Sequence, residues 1–183
     1  YDKIAKVYDF TFGPTLHPGR LRAIDRMDIQ PGERVLEVGV GTGINLSLYP
    51  KNCSVTGIDF NESMLEIARE RAERKDIRHV RLLQMDAADL KFADDSFDVV
   101  FSSLMLHHLD TPSKDAMLAE VRRVLRPDGV LVLADAAVHD HSHLGRKRGA
   151  SGHMQEHLHD NVGHAVAQRI AAAGFTVVPT TTR

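Results

Sequence analysis

Apolar positions along this chain switch repeatedly between two periods. Short runs rich in Val, Ile, Leu and Phe predict strands: RVLEV (34–38), SVTGID (54–59), VRLLQM (80–85), FDVVFS (97–102), VLVLAD (130–135) and FTVVP (175–179). The stretches between them predict helices over 17–28, 43–49, 62–74, 113–125 and 155–173. Within 62–74, Met64, Leu65, Ile67, Ala68 and Ala72 recur at helical spacing, and Glu62, Glu66, Arg69, Glu70 and Glu73 are left to turn outward. In 113–125, Met117, Leu118, Val121, Val124 and Leu125 repeat the pattern, and Pro127-Asp128-Gly129 is the expected stop. Strands alternating with helices predict an α/β fold: a doubly wound, mostly parallel sheet with helices on both faces. A single domain over residues 1–183 is expected, with 1–28 as an N-terminal helical cover. Residues 139–164 begin polar and without period, and read as a loop or lid leading into a helix.

Composition narrows the picture modestly. A chain of 183 residues with 43% hydrophobic content suits one domain with a sizeable core and excludes wholesale disorder. Lys and Arg total 23 against 25 Asp and Glu, a formal charge of −2, so nothing draws the chain as a whole toward nucleic acid. The single cysteine, Cys53, allows no internal disulfide and no thiolate cluster, and its setting suggests packing. The apolar runs are too short to cross a bilayer. The sequence as it opens at Tyr1 shows no signal peptide, and the expected location is cytoplasmic, either free or peripheral at an anionic membrane.

The candidate chemistry starts at VLEVGVGTG (35–43), where Gly39, Gly41 and Gly43 follow a buried-looking strand. Glycines at such a corner imply a sharp turn or a close approach, either of a ligand or of another part of the protein. In doubly wound sheets ligands bind at the carboxyl ends of the strands, where the first strand turns into its helix. Asp59 ends the second strand, and an acid there accepts the hydroxyls of a ribose. Its competing role, capping helix 62–74, can be taken by Asn61. The spacing GVGTG departs from the arrangement that sets a helix N-terminus against a pyrophosphate, and no GxxxxGK[ST] loop is present. Glu37 adds a carboxylate at the strand end, awkward beside phosphates and natural beside a cation. These residues together favour a positively charged adenosine ligand without phosphates.

VLEVGVGTG, GID (57–59), MDAADL (85–90), FDVV (97–100), LMLHHL (104–109) and EVRRVLRPDGVLVLAD (120–135) resemble the class I S-adenosylmethionine-dependent methyltransferases, a Rossmann-like fold. The resemblance covers about residues 31–135. It implies S-adenosylmethionine as cofactor. Gly39, Gly41 and Gly43 would admit its methionine part and sugar, and Glu37 would join the network around its amino end. Asp59 would bind the ribose hydroxyls and Phe60 would flank the adenine. Asp86 would face the adenine amino group beside the Ala87 backbone, with Ser102 and Ser103 lining cofactor and substrate entrance. Val40 and the PDG at 127–129 depart from the commoner residues without removing a polar group the site needs. No Ser-His-Asp or Cys-His arrangement is evident, as suits chemistry in which the cofactor carries the reactive group. His107 and His108 follow the fourth strand and are candidates for a base or for shaping the substrate site.

YDKIAKVYDFTFG (1–13), taken with LEVGVGTGINLSLYP, is similar to the soluble, peripheral bacterial phosphatidylethanolamine N-methyltransferases. That similarity implies a phospholipid amine as methyl acceptor. Tyr1 and Tyr8 are then substrate-binding candidates, Tyr8 also catalytic, and the segment forms a lid or a plain cover. Lys3, Lys6, Arg20, Arg22 and Arg146-Lys147-Arg148 would meet lipid phosphates if they shared a face. HHLD at 107–110 also resembles methyltransferases of quinones and other small molecules, so a small hydrophobic or amine metabolite is the alternative acceptor. A non-catalytic cofactor-binding scaffold is the second alternative, disfavoured by the intact glycine corner and Asp59. His139, His141, His143, His153, His157, His159 and His164 cluster in sequence, yet methyl transfer of this class needs no metal, and no metal site is expected. The partners expected are a small-molecule or phospholipid substrate and no nucleic acid. The oligomeric state is not legible.

Overall fold

The computed structural model of the chain describes residues 19–134 and 165–178. Within them, five strands form one sheet in the order β3-β2-β1-β4-β5: β1 Arg34–Val38, β2 Ser54–Asp59, β3 Val80–Gln84, β4 Phe97–Ser103 and β5 Leu125–Ala134. All four neighbouring pairs are parallel. The chain builds outward from β1 through β2 to β3, then crosses back to lay β4 on the other side of β1. That reversal makes the carboxyl ends of β1 and β4 the topological switch point.

Both faces of the sheet are covered, and outside the irregularity at Phe97 the side chains alternate between them. Val35, Val55, Val99 and Phe101 face helix α1 (19–25), where Ile24 and Met27 meet them. Val80 and Leu82, in register on the same face, pack against Leu65 and Ala68 of α2 (Glu62–Arg74). Leu36, Val38, Ile58 and Val100 point the other way, onto Met117, Val121 and Val124 of α3 (Thr111–Val124). Val166 of α4 (Ala165–Ala172) joins that layer from its edge. A strand buried on both faces reads as a continuous apolar run, as RVLEV and FDVVFS do. The expected doubly wound architecture is therefore present.

Helix starts follow their polar caps. Asn61 caps α2, its side chain accepting from the Ser63 N–H at 3.0 Å, which leaves Asp59 out of that role. Asp110 caps α3 by accepting from the Ser113 N–H at 2.9 Å, with Pro112 in the first turn.

Three expectations need correction. The helix foreseen over 43–49 is reduced to one 3₁₀ turn, Leu46–Leu48, because positive-φ backbone at Gly41 and Gly43 delays its start. Pro127-Asp128-Gly129 does not end a helix into a free loop. α3 stops at Val124, and residues 126–129 bulge within β5 opposite Asp98, since Phe97 pairs with Leu125 and Val99 with Val130. Gly129 is required there: a Cβ would stand 2.8 Å from the Asp98 carbonyl oxygen. Arg126 and Arg34 hold the Asp98 carboxylate beneath the bulge. Finally, 175–178 forms no ladder with any described strand. Phe175 lies on the core beside the Arg122 guanidinium while Val178 is 79% exposed, so one-sided contact satisfies its alternation.

Candidate functional site

The carboxyl ends of β1, β2 and β4 open into a cleft of about 950 Å³, toward the upper end of the range for small-molecule sites. Gly39, Gly41, Asp59, Phe60, Asp86, Ala87, Ser103, His107 and His108 all line it. Residues from five places in the sequence thus meet in one space.

The three glycines divide the two roles open to them. All have positive φ, at 77°, 54° and 71°. A Cβ on Gly39 would stand 2.6 Å from Met105 Cγ, and one on Gly43 would stand 2.7 Å from Leu46 Cδ1 and 3.0 Å from Ala68 Cβ. These two glycines accommodate protein. A Cβ on Gly41 meets nothing within 4 Å and projects into open space. Gly43, expected against the cofactor, instead lets α2 close on the turn and lies outside the cleft lining.

Asp59 is already at work in the turn. Its Oδ2 accepts from the Gly41 N–H at 2.8 Å and its Oδ1 from the Asn61 N–H at 2.9 Å. Backbone N–H groups of Gly39 and Val40 also reach the Ile58 carbonyl, each at 2.9 Å. The glycine turn is thereby tied to the end of β2. Each carboxylate oxygen keeps a second lone pair for a hydroxyl donor.

Glu37 lies deeper than its position in the strand suggested. It is fully buried, outside the cleft lining and beneath the turn. Asn45 Nδ2 donates to Oε1 at 2.7 Å, and the Tyr49 hydroxyl donates to Oε2 at 2.8 Å. Burial pushes its carboxyl up to about 7, against the two hydrogen bonds and the Arg20 charge, which favour the anion. Burial also raises the Tyr49 phenol, which therefore stays a donor. Asn45 donates a further bond to Ser103 Oγ at 3.2 Å, while its own buried Oδ1 has no hydrogen-bond partner among the described residues, although Asn45 lines the cleft.

The far wall is the segment after β3. Asp86 Oδ1 accepts from the Ala88 N–H at 2.8 Å, closing a turn that sets Asp86 and Ala87 on the rim. Arg123 of α3 clamps this segment from behind. Its guanidinium donates to the Leu90 and Phe92 carbonyls, each at 2.8 Å, and is braced by Glu120, whose Oε2 accepts from the Leu90 N–H at 2.8 Å. EVRRVL, part of the family resemblance, thus acts by holding another segment in place.

After β4 the chain turns through Leu104 at φ 53°, a strained conformation for a leucine, held by a 2.8 Å bond from its N–H to the Ala134 carbonyl. The turn directs Met105 over Gly39 and brings His107 and His108 to the cleft, with ring centroids 4.0 Å apart. Ser103 lines the cleft as expected. Ser102 does not: the strand's alternation sends it to the opposite face, 2% exposed, where its hydroxyl finds no partner among the described residues. Cys53 is buried and donates to the Pro50 carbonyl, in keeping with packing. Tyr1, Tyr8 and the seven histidines of 139–164 lie outside the described residues.

Sequence reasoning missed Arg20, Asn45, Tyr49 and Met105. Arg20, grouped in sequence with lipid-facing basic residues, lines the cleft, while Arg22 two positions on is exposed. Residues two apart on a helix do not share a face, so this pair forms no common basic surface. A signal for Asn45 and Tyr49 did exist: they are polar residues four apart in an apolar stretch, following a strand whose penultimate residue is an acid.

Comparison with known proteins agrees with this geometry. Residues 35–129 match the family described as "Methyltransferase domain". The chain is 37% identical over 153 residues to a phosphatidylethanolamine N-methyltransferase of Cereibacter sphaeroides, covering 83% of this chain and 70% of that protein. It is 38% identical over 141 residues to a demethylmenaquinone methyltransferase of Renibacterium salmoninarum, covering 74% of this chain and 56% of the relative. Among solved structures, a SAM-dependent methyltransferase of Methanosarcina mazei is similar, with TM-score 0.55 and 31% identity over 60% of this chain and 55% of that one. Relatives of the second kind therefore extend well beyond the matched segment. Sequence motifs, switch-point cleft and family match all converge: the chain belongs to the class I S-adenosylmethionine-dependent methyltransferases.

Proposed function

We propose that this chain methylates the amine headgroup of a phospholipid such as phosphatidylethanolamine. The observation that carries this reading is the 37% identity to the Cereibacter sphaeroides enzyme, spread over 153 residues. The cleft suits the family's cofactor. Gly41 faces open space, Asp59 has lone pairs for ribose hydroxyls, and Asn45 presents an unmatched buried acceptor to the cleft. Phe60 and the Asp86–Ala87 turn would flank and face the adenine, and Glu37 with Arg20 would set the charge balance at the amino-acid end. S-adenosylmethionine supplies an electrophilic methyl group on a sulfonium, so a covalent protein nucleophile is unnecessary.

The residues of this chain then have three tasks: to orient the acceptor, exclude water and take a proton. An ammonium acceptor must lose a proton before its nitrogen can form a bond to carbon. His107 and His108, both on the cleft, are the proposed bases, and an imidazole is suited to that transfer near neutral pH. Tyr1 and Tyr8 are proposed to cover the acceptor side, with Tyr8 contributing its hydroxyl. A second reading rests on the 38% identity to the Renibacterium salmoninarum enzyme: the acceptor is then a quinone ring. Both acceptors are reactive polar ends of lipids, and both fit a role at a membrane surface without a spanning helix. No helix among the described residues is long and apolar enough to cross a membrane.

The test is methyl transfer from labelled S-adenosylmethionine to phosphatidylethanolamine vesicles and, separately, to demethylmenaquinone in neutral vesicles. Label recovered in the headgroup amine supports the proposal. Label only in the quinone replaces it with the second reading.

A further inference from the structure

Glu37 is an unusual place to keep a charge. It is 0% exposed, yet both its oxygens accept from neutral side chains and neither has a cationic hydrogen-bond donor among the described residues. The groups that face it are Asn45 and Tyr49 from the segment after the glycine turn, Arg20 from α1 and Asp59 from β2. Its strand neighbours in register, Gly57 and Phe101, contribute no charge. A site so arranged stabilises a carboxylate weakly and fixes its direction strongly.

We propose that Asn45 and Tyr49 are positioning residues that hold Glu37 as the counter-charge for the cationic amino end of the cofactor, and that cofactor loading is therefore proton-linked through this buried triad. The inference rests on the cofactor occupying the cleft as described above. Asn45 and Tyr49 act through the carboxylate they hold, Asn45 from the cleft lining and Tyr49 from outside it. The physical reason is reciprocal. Burial favours the protonated acid, whereas a cation placed above the turn favours the anion, so binding must expel the proton. Asn45 couples the two sides because the same side chain that donates to Glu37 also donates to Ser103 and lines the cleft. Tyr49 lies on the far side, 4% exposed, and acts only through Glu37.

The experiment is calorimetric titration of S-adenosylhomocysteine into the wild-type chain, Y49F and E37Q at about pH 6 and about pH 7.5, in buffers of differing ionisation enthalpy. With a free-state carboxyl titrating at about 7, affinity should fall roughly eightfold between the higher and lower pH. About half a proton should be released per ligand bound near pH 7. E37Q should bind with little pH dependence, which separates Glu37 from His107 and His108 on the same cleft. Y49F should fold, as a melt would show, and should shift the pH dependence upward, weakening binding most near pH 7.5. Equal wild-type affinity at both pH values, or unchanged dependence in E37Q, overturns the proton linkage. A Y49F profile that matches wild type removes Tyr49 from it. Absence of binding by folded wild-type protein at either pH is a different result and overturns the cofactor reading itself.

Discussion

Replacing Glu37 with Gln should stabilise the unliganded protein at high pH and leave it nearly unchanged at low pH. The carboxyl is raised from 4.5 to about 7 by burial, so the native state holds a proton that the unfolded chain has released. For a group raised on folding, the stabilising contribution is fully present below the unfolded value and is lost as pH rises through the folded one. Between about pH 5 and about pH 8.5 that loss amounts to about 2–3 kcal/mol. Glutamine is the neutral isostere of the protonated acid: its oxygen accepts from Asn45 and its amide N–H donates to the Tyr49 oxygen, the phenol turning as it must beside the protonated acid. Wild type and E37Q should therefore unfold alike in urea at about pH 5 and diverge by about 2–3 kcal/mol at about pH 8.5, E37Q being the more stable. Comparing the two proteins cancels the titration of every other group. A difference independent of pH, or one that grows toward acid, would refute the assignment of a raised carboxyl. A functional cost for E37Q beside its gain in stability would mark the site as one where binding competes with folding.

Other expectations follow from the same geometry. Asp59→Ala removes the proposed acceptor for ribose and also frees the Gly41 N–H, and should weaken S-adenosylhomocysteine binding by roughly 1.5–3 kcal/mol. Equal affinities in calorimetry, both proteins folded, would exclude Asp59 from the site. Gly41→Ala should cost about 1–2 kcal/mol of stability, from left-handed backbone alone, and lose ligand affinity out of proportion. Gly39→Ala adds a clash with Met105, so its stability loss should be larger and partly relieved by Met105→Ala, measured as a double-mutant cycle. Arg123→Gln should raise the cofactor KM several-fold with a smaller change in kcat, because it loosens the segment that carries Asp86 and Ala87. An unchanged KM would show that the clamp serves stability alone.

Much of this protein was legible from residue order because its signals are local. Runs such as RVLEV and SVTGID match β1 and β2 residue for residue, since a parallel strand buried on both faces is apolar over most of its length. The amphipathic pattern of 62–74 and the Asn61 cap mark α2 completely. Glycine spacing and Asp59 locate the cleft, because doubly wound sheets confine ligands to the ends of their strands. What required tertiary structure were decisions made between distant segments. Whether Gly39 and Gly43 admit ligand or protein depends on Met105 and Ala68, and whether Ser102 or Ser103 faces the cleft depends on the register of β4. PDG reads as a helix stop until Asp98 fills the bulge it makes in β5. Glu37 shows the division most plainly. The strand pattern placed a carboxylate at the right end of β1, but its burial, its two neutral donors and its raised titration exist only when Asn45, Tyr49 and Arg20 close around it. Local preference acts through the backbone of neighbours in sequence, whereas desolvation and charge depend on everything that surrounds a group in space.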